Sequence, residues 1–174
     1  MIRNLIILIV LFFLNILLGW GKTGHRITGE ISEKYLTKNA KLQIKKLIGH
    51  HDISRLANWA DEVKSDPKWR KADDWHYCTI PDGEVYNPNN NGGKAVQKVN
   101  EFIKTLKDKN SARNQKIIAL KFLIHLIGDL HQPLHVGNGL DRGGNNIKVN
   151  WFNEPTNIHA ISVSYTHLRA HETE

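Results

Sequence analysis

The sequence predicts an all-α protein, a single helical domain that carries a short β-hairpin. Two stretches repeat apolar residues at three- and four-residue steps, a third is apolar on most faces, and only one short run alternates with a period of two. No internal repeat and no linker divides the 174 residues, a length that suits one domain with a sizeable core.

At the N-terminus, Arg3 precedes an apolar run from Leu5 to Leu18 that is broken only by Asn15. The run is short for a membrane span and right for a secretory signal. Residues 1–19 are therefore expected to be a signal peptide cut after Gly19, with the protein secreted or periplasmic; Leu17 is bulky for such a cut, and an uncleaved anchor is the alternative. Further along, Ile44, Leu47 and Ile48 mark one face of a Lys-rich helix that Gly49 ends. Pro81 to Gly93 is rich in Asn, Gly and Pro and reads as a surface loop. Val96, Val99, Phe102, Ile103 and Leu106 share one face of the next helix, and Ile117 to Leu130 reads as a central helix surrounded by others. A second loop, Gly137 to Asn146, leads into Ile147, Val149 and Trp151, which alternate as a strand.

Composition narrows the function classes. A hydrophobic content of 40% is too high for disorder to be the default, and a single cysteine, Cys78, excludes an internal disulfide. Lys and Arg number 24 against 17 Asp and Glu, a net charge of +7 that favours phosphate-bearing partners.

The chemistry starts on the central helix. His125 and Asp129 are four apart and share a face. Beside Phe122, Leu126 and Leu130, an imidazole and a carboxylate are costly to bury unless they are paired or bound to a metal. Pro133 is expected to end the helix and swing His135 back towards the same pocket. One such His is more often a hydrogen-bonded core residue, but His125, Asp129, His131 and His135 within eleven residues match the ligand types of hydrolytic zinc sites. Asp61 in Trp-Ala-Asp, His76 in Trp-His-Tyr and His159 in Thr-Asn-Ile-His supply more of the same types. A cut after Gly19 also leaves Trp20 with a free α-amine, which deprotonates near neutrality and can ligate a metal, with His25 reaching in from the first helical turn.

These motifs, W-G-x-x-G-H, W-A-D, W-H-Y, H-x-x-x-D-x-H-Q-P-L-H, G-G-N and T-N-I-H, occur in an order that resembles the single-strand-specific zinc nucleases of the S1/P1 family, from Trp20 to about His159. The resemblance implies an all-α fold of the phospholipase C/nuclease P1 type with three zinc ions in a cleft. It implies that Asp61, His76, His125 and Asp129 hold one zinc of a close pair and that His135 and His159 hold the other. Trp20, through amine and carbonyl, and His25 are implied to hold the third, with Asp129 bridging. Asp61 and Lys64 are implied as catalytic, Lys64 lying near the phosphate on the helical face of Asp61, and Tyr77 as a residue that stacks a base. The implied activity is hydrolysis of single-stranded DNA and RNA to 5′-phosphorylated products by a monomer without a stable protein partner. A phospholipase C-type phosphoesterase and a non-catalytic, zinc-stabilised binding protein are the alternatives.

The family motif continues to an Asp four residues beyond the position of His159, where this chain has Val163. Residues 161–174 resemble translated vector read-through and are expected to be non-native, leaving a nuclease domain at 20–160 that is incomplete at its C-terminus, poorly soluble and nearly inactive as given. His50 and His51 are expected to be exposed in a turn, His131 to point away from the site, the Lys38–Lys46 stretch to be a solvated helix face, and Cys78 not to be a ligand.

Overall fold

The computed structural model describes residues 21–50, 52–89 and 92–164; the expected signal peptide, Trp20, His51 and the stretch from Tyr165 onward lie outside the described residues. The chain is mostly helical, and the elements are arranged around α5 (Arg113–Leu130). Before it come α1 (Lys22–Tyr35), α2 (Lys38–Ile48), the single turn α3 (Trp59–Glu62) and α4 (Ala95–Lys107), and after it α6 (Ile158–Ser164). Short 3-10 helices occupy Ser54–Leu56, Pro67–Trp75 and Pro133–His135.

Helix limits follow from local chemistry. The Thr37 hydroxyl accepts from the Ala40 amide at 3.1 Å to start α2, and Gly49 closes it in a left-handed conformation at φ 87°. The side chain of Gln115 accepts from the Ala112 amide at 2.8 Å at the start of α5. Arg113, in the first turn of α5, donates to the Leu47 carbonyl at 2.9 Å and so satisfies the exposed C-terminal end of α2. α5 stops at Leu130, short of Pro133, which instead opens the 3-10 turn that ends on His135.

α5 packs on two sides. Leu120 and Ile124 join Ile53 and Ala57, with Ile44, Leu47 and Ile48 of α2 against them. On another side Phe122 is nearly fully buried among Trp59, Trp69, Trp75 and Phe102, with ring centroids 5.1–5.4 Å from its own. Burying a side chain of this size contributes about 1.5–3 kcal/mol from area alone. α1 lies on the Ser54–Leu56 turn and on α5 through small residues: a Cβ on Gly29 would stand 2.6 Å from the Ser54 Cα, and one on Gly128 of α5 would stand 2.9 Å from Nδ1 of His25. Glycine at both places is what lets the backbones close on each other.

Two small sheets complete the fold. β1 (Cys78–Thr79) and β2 (Val136–Gly137) pair in parallel, with Cys78 opposite Val136. β3 (Lys148–Trp151) and β4 (Glu154–Asn157) form the expected hairpin, with Trp151 opposite Glu154. Phe152 and Asn153 turn it with φ of 50° and 65°, as a two-residue type I′ turn requires. No helix among the described residues is long and apolar enough to cross a membrane.

Candidate metal centre

One polar cluster lies beside the apolar core, and five elements build it. His25 comes from the first turn of α1, Asp61 from α3, His76 from the end of the Pro67–Trp75 helix, His125 and Asp129 from α5, and His135 from the 3-10 turn after it. His25, His76, His125, Asp129 and His135 are all buried. His125 and Asp129 stand one turn apart, with Nε2 3.1 Å from Oδ2. The same Oδ2 lies 2.9 Å from Nδ1 of His76, while Oδ1 lies 3.1 Å from Nδ1 of His135 and 3.4 Å from Nε2 of His25. Asp129 thus touches four imidazoles.

The backbone decides which ring nitrogens are left for a ligand. His125 donates from Nδ1 to the Ala57 carbonyl at 2.7 Å, His135 from Nδ1 to the His76 carbonyl at 2.9 Å, and His159 from Nδ1 to the Gly143 carbonyl at 2.8 Å. A carbonyl can only accept, so Nδ1 carries the proton in each ring and the neutral form presents the Nε2 lone pair. In His125 that lone pair faces a carboxylate oxygen and lies 3.1 Å from Nδ1 of His76. Acceptors so close need a proton or a cation between them. Metal-binding histidines are held in this way, with the far nitrogen fixed by a carbonyl or carboxylate. Nε2 of His76 is buried and has no hydrogen-bond partner among the described residues.

Electrostatics agree with a cation site. Burial lowers the pKa of His25 to about 4 and also lowers those of His76 and His159, which keeps these rings neutral. For His125 burial pulls downward, but Asp129 and Asp61 outweigh it and the pKa rises. Burial also opposes ionisation of Asp129, yet the charge of His125 and hydrogen bonds from His125, His135 and His76 hold it well below the ordinary carboxylate range. Candidate ligand atoms of His25, Asp61 and His125 lie within 4.8 Å of one another, as do those of His76, His125 and Asp129. Both groups can hold a metal ion, and the donor set of imidazole and carboxylate suits zinc.

A cleft of about 430 Å³ opens beside the cluster, with His76, His135 and His159 on its wall. His135 and His159 stack with ring centroids 5.7 Å apart and planes 2° apart. Lys64 lines the cleft and reaches Oδ1 of Asp61 at 3.0 Å, although α3 ends at Glu62 and Lys64 sits in the turn beyond it. Tyr77 lines the same cleft and is 41% exposed, so it is not a core residue.

Comparison with known proteins follows this geometry. The sequence profile described as S1/P1 Nuclease matches residues 20–165. The chain belongs to the S1/P1 nuclease family. It is 32% identical to Endonuclease 3 of Arabidopsis thaliana over 167 residues, 89% of this chain and 57% of that protein. It is 35% identical to Endonuclease 2 of the same plant, over 82% of this chain and 54% of the relative. With Nuclease S1 of Aspergillus oryzae it shares 30% identity, over 82% of this chain and 53% of that protein. The chain spans about half the length of the curated relatives it matches.

Within this S1/P1 nuclease chain, the described candidates converge with one difference in grouping. The resemblance set His25 apart, with the third zinc, whereas the structure puts His25 among the deepest residues, its ring stacked on that of His125 at 3.8 Å between centroids and its Nε2 3.9 Å from Asp61. Trp20 lies outside the described residues. His131 is exposed and turned back onto the Ile127 carbonyl at 2.7 Å, and His50 is exposed. Cys78 is buried in β1, where burial raises its pKa and keeps it a thiol.

Sequence reasoning passed over several residues that the site uses. Asp73, Arg142 and Asn145 line the cleft. Gln132 is buried, donating to the Ser162 hydroxyl at 2.9 Å and accepting from the Leu134 amide, so it fixes the turn that carries His135. Gln132 stood inside the D-x-H-Q-P-x-H motif, but motif membership alone gave it no role.

Proposed function

We propose that this protein is a zinc-dependent nuclease that hydrolyses phosphodiester bonds of single-stranded DNA and RNA to 5′-phosphorylated products. The observation that carries this reading is the convergence of four buried imidazoles on the carboxylate of Asp129, beside a cleft that also holds Lys64 and Tyr77. Export to the periplasm or beyond, and a monomeric state, belong to the same reading and rest on the sequence.

His25, Asp61, His76, His125 and Asp129 would hold two of three zinc ions, with the Trp20 amine as a further ligand of the ion at His25. The depth of His25 supports its ion as a member of the close pair, with His135 and His159 holding an ion nearer the cleft. When bound, zinc supplies Lewis-acid polarisation of the phosphoryl group and a water acidified towards neutrality. Asp129 stays ionised and balances charge deep in the site. The ammonium of Lys64, held at Asp61, is placed to neutralise a phosphoryl oxygen in the cleft. The exposed Tyr77 ring can stack an unpaired base, worth about 1–3 kcal/mol and available only to a nucleotide outside a duplex.

Metal content by elemental analysis, with hydrolysis of single-stranded DNA, duplex DNA and a choline phospholipid, tests the reading. In a chain as long as its relatives, bound zinc and 5′-phosphorylated products from single strands alone are expected, against little turnover from these 174 residues. Turnover of phospholipid alone would turn the reading to a phospholipase, and bound zinc without turnover of any substrate would leave a zinc-stabilised binding protein.

A further inference from the structure

The loop Gly137–Asn146 forms one wall of the cleft, and its one large cation is Arg142. Three features set this residue apart. It is exposed in the cleft wall, and among the described residues it makes no ion pair, whereas Lys64 is held by Asp61 at 3.0 Å. It has a left-handed backbone with φ of 55°, in a run that continues through Gly143 at 63° and Gly144 at 80°. Glycine is the natural occupant of such a position, and a large side chain there strains the backbone. Finally, the loop is pinned around it: the Arg142 carbonyl accepts from the Asn145 side chain at 2.9 Å, and the Asn146 amide donates to the Asp141 carbonyl at 3.0 Å.

We propose that Arg142 forms a subsite for a phosphate of the polynucleotide next to the one being cleaved. An arginine presents a planar fork that matches phosphate oxygens, and an unpaired guanidinium in a cleft gains most from an anion. Asp73 is the one carboxylate among the residues that line the cleft, and it makes no ion pair with Arg142. Arg142 is a positioning residue that favours chains carrying several phosphates over a single diester. This subsite rests on the nuclease reading.

The test measures binding of a hydrolysis-resistant 5′-fluorescein phosphorothioate hexathymidylate to the protein with its metal in place across a salt series, for wild type, Arg142→Gln, Arg142→Lys and Arg142→Gly. The wild-type log affinity falls linearly with log salt, and each phosphate contact contributes a slope of about 0.7 on a single strand. Arg142→Gln and Arg142→Gly are expected to weaken binding about 10-fold and to lower the slope by about one contact, with partial recovery in Arg142→Lys. Arg142→Gly relieves the left-handed strain, so its melting temperature should equal or exceed that of wild type while its affinity falls. A purely structural role would move the two together. Unchanged affinity and slope in Arg142→Gln, with wild type binding normally, overturns the subsite and leaves the nuclease reading standing. Failure of wild type to bind the oligonucleotide at any salt overturns both.

Discussion

Phe122 and His125 lie three residues apart on α5, yet they sit in opposite kinds of interior. Around Phe122, three tryptophans and a second phenylalanine pack as an aromatic cluster. Around His125 the neighbours are His25, His76 and Asp129, equally hidden from water, and Asp61, which is partly exposed. The first region is held by burial and dispersion, which are tolerant of detail. The second is held by a balance of buried charges, in which each member is costly without the others. One helix therefore carries a stabilising interior and a reactive one, and the two fail in different ways.

Asp129→Asn should separate them most strongly. The amide keeps the shape but cannot balance several imidazoles and a cation, so at least one metal ion should be lost. Turnover should fall on the order of 10⁴-fold, about 5.5 kcal/mol of barrier, with far-ultraviolet helicity retained. Elemental analysis and rate assays check this, and retained activity would remove Asp129 from the centre. Phe122→Ala should do the reverse. It should cost about 4 kcal/mol of stability, as large-to-small core changes do, seen as a lowered denaturant midpoint, while protein that remains folded keeps its metal. Gly128→Ala probes the border of the two regions. Its Cβ would stand 2.9 Å from His25 Nδ1, so the His25 ring must shift or α1 retreat from α5. A loss of roughly 2 kcal/mol is expected from overpacking, with metal loss at the His25 group and no change in the aromatic near-ultraviolet signal. Tyr77→Ala should leave stability untouched and weaken single-stranded oligonucleotide binding by about 1.5 kcal/mol, measured by anisotropy. An equal loss of stability would make Tyr77 part of the core after all.

The two regions also differed in how legible they were. Apolar residues at three- and four-residue steps gave α2 and α4 directly, because core packing imposes that period, and α5 was legible as a run apolar on most faces. His125 and Asp129 were readable as a pair because the helix itself sets their spacing. Much of the rest depended on contacts with no local signature. The Pro67–Trp75 stretch is a 3-10 helix whose apolar residues, Trp69, Ala72 and Trp75, recur every three residues over too short a run to mark an α-helical face, yet it delivers His76. The depth of His25 depends on Gly128, a glycine whose meaning appears only when α1 lies against α5. Pro133 correctly marked a change of direction, but α5 had already ended at Leu130. Arg142 was invisible as a site residue because nothing in a Gly-rich loop reveals which residue lines a cleft.

The two-residue ladder of β1 and β2 is small, but its position gives it a role in time as well as in space. Cys78 and Val136 directly follow the segments that carry His76 and His135, and their pairing joins parts of the chain 58 residues apart. Closing so long a loop is an entropic expense met only after local helices exist, and non-local pairings of this kind are slow steps. His125 and Asp129 on α5 can be in place early, whereas His76 and His135 come into register together. The ladder is thus a clasp whose fastening completes the pocket, and on the proposed reading a metal ion would find its full set of ligands only once the clasp has closed.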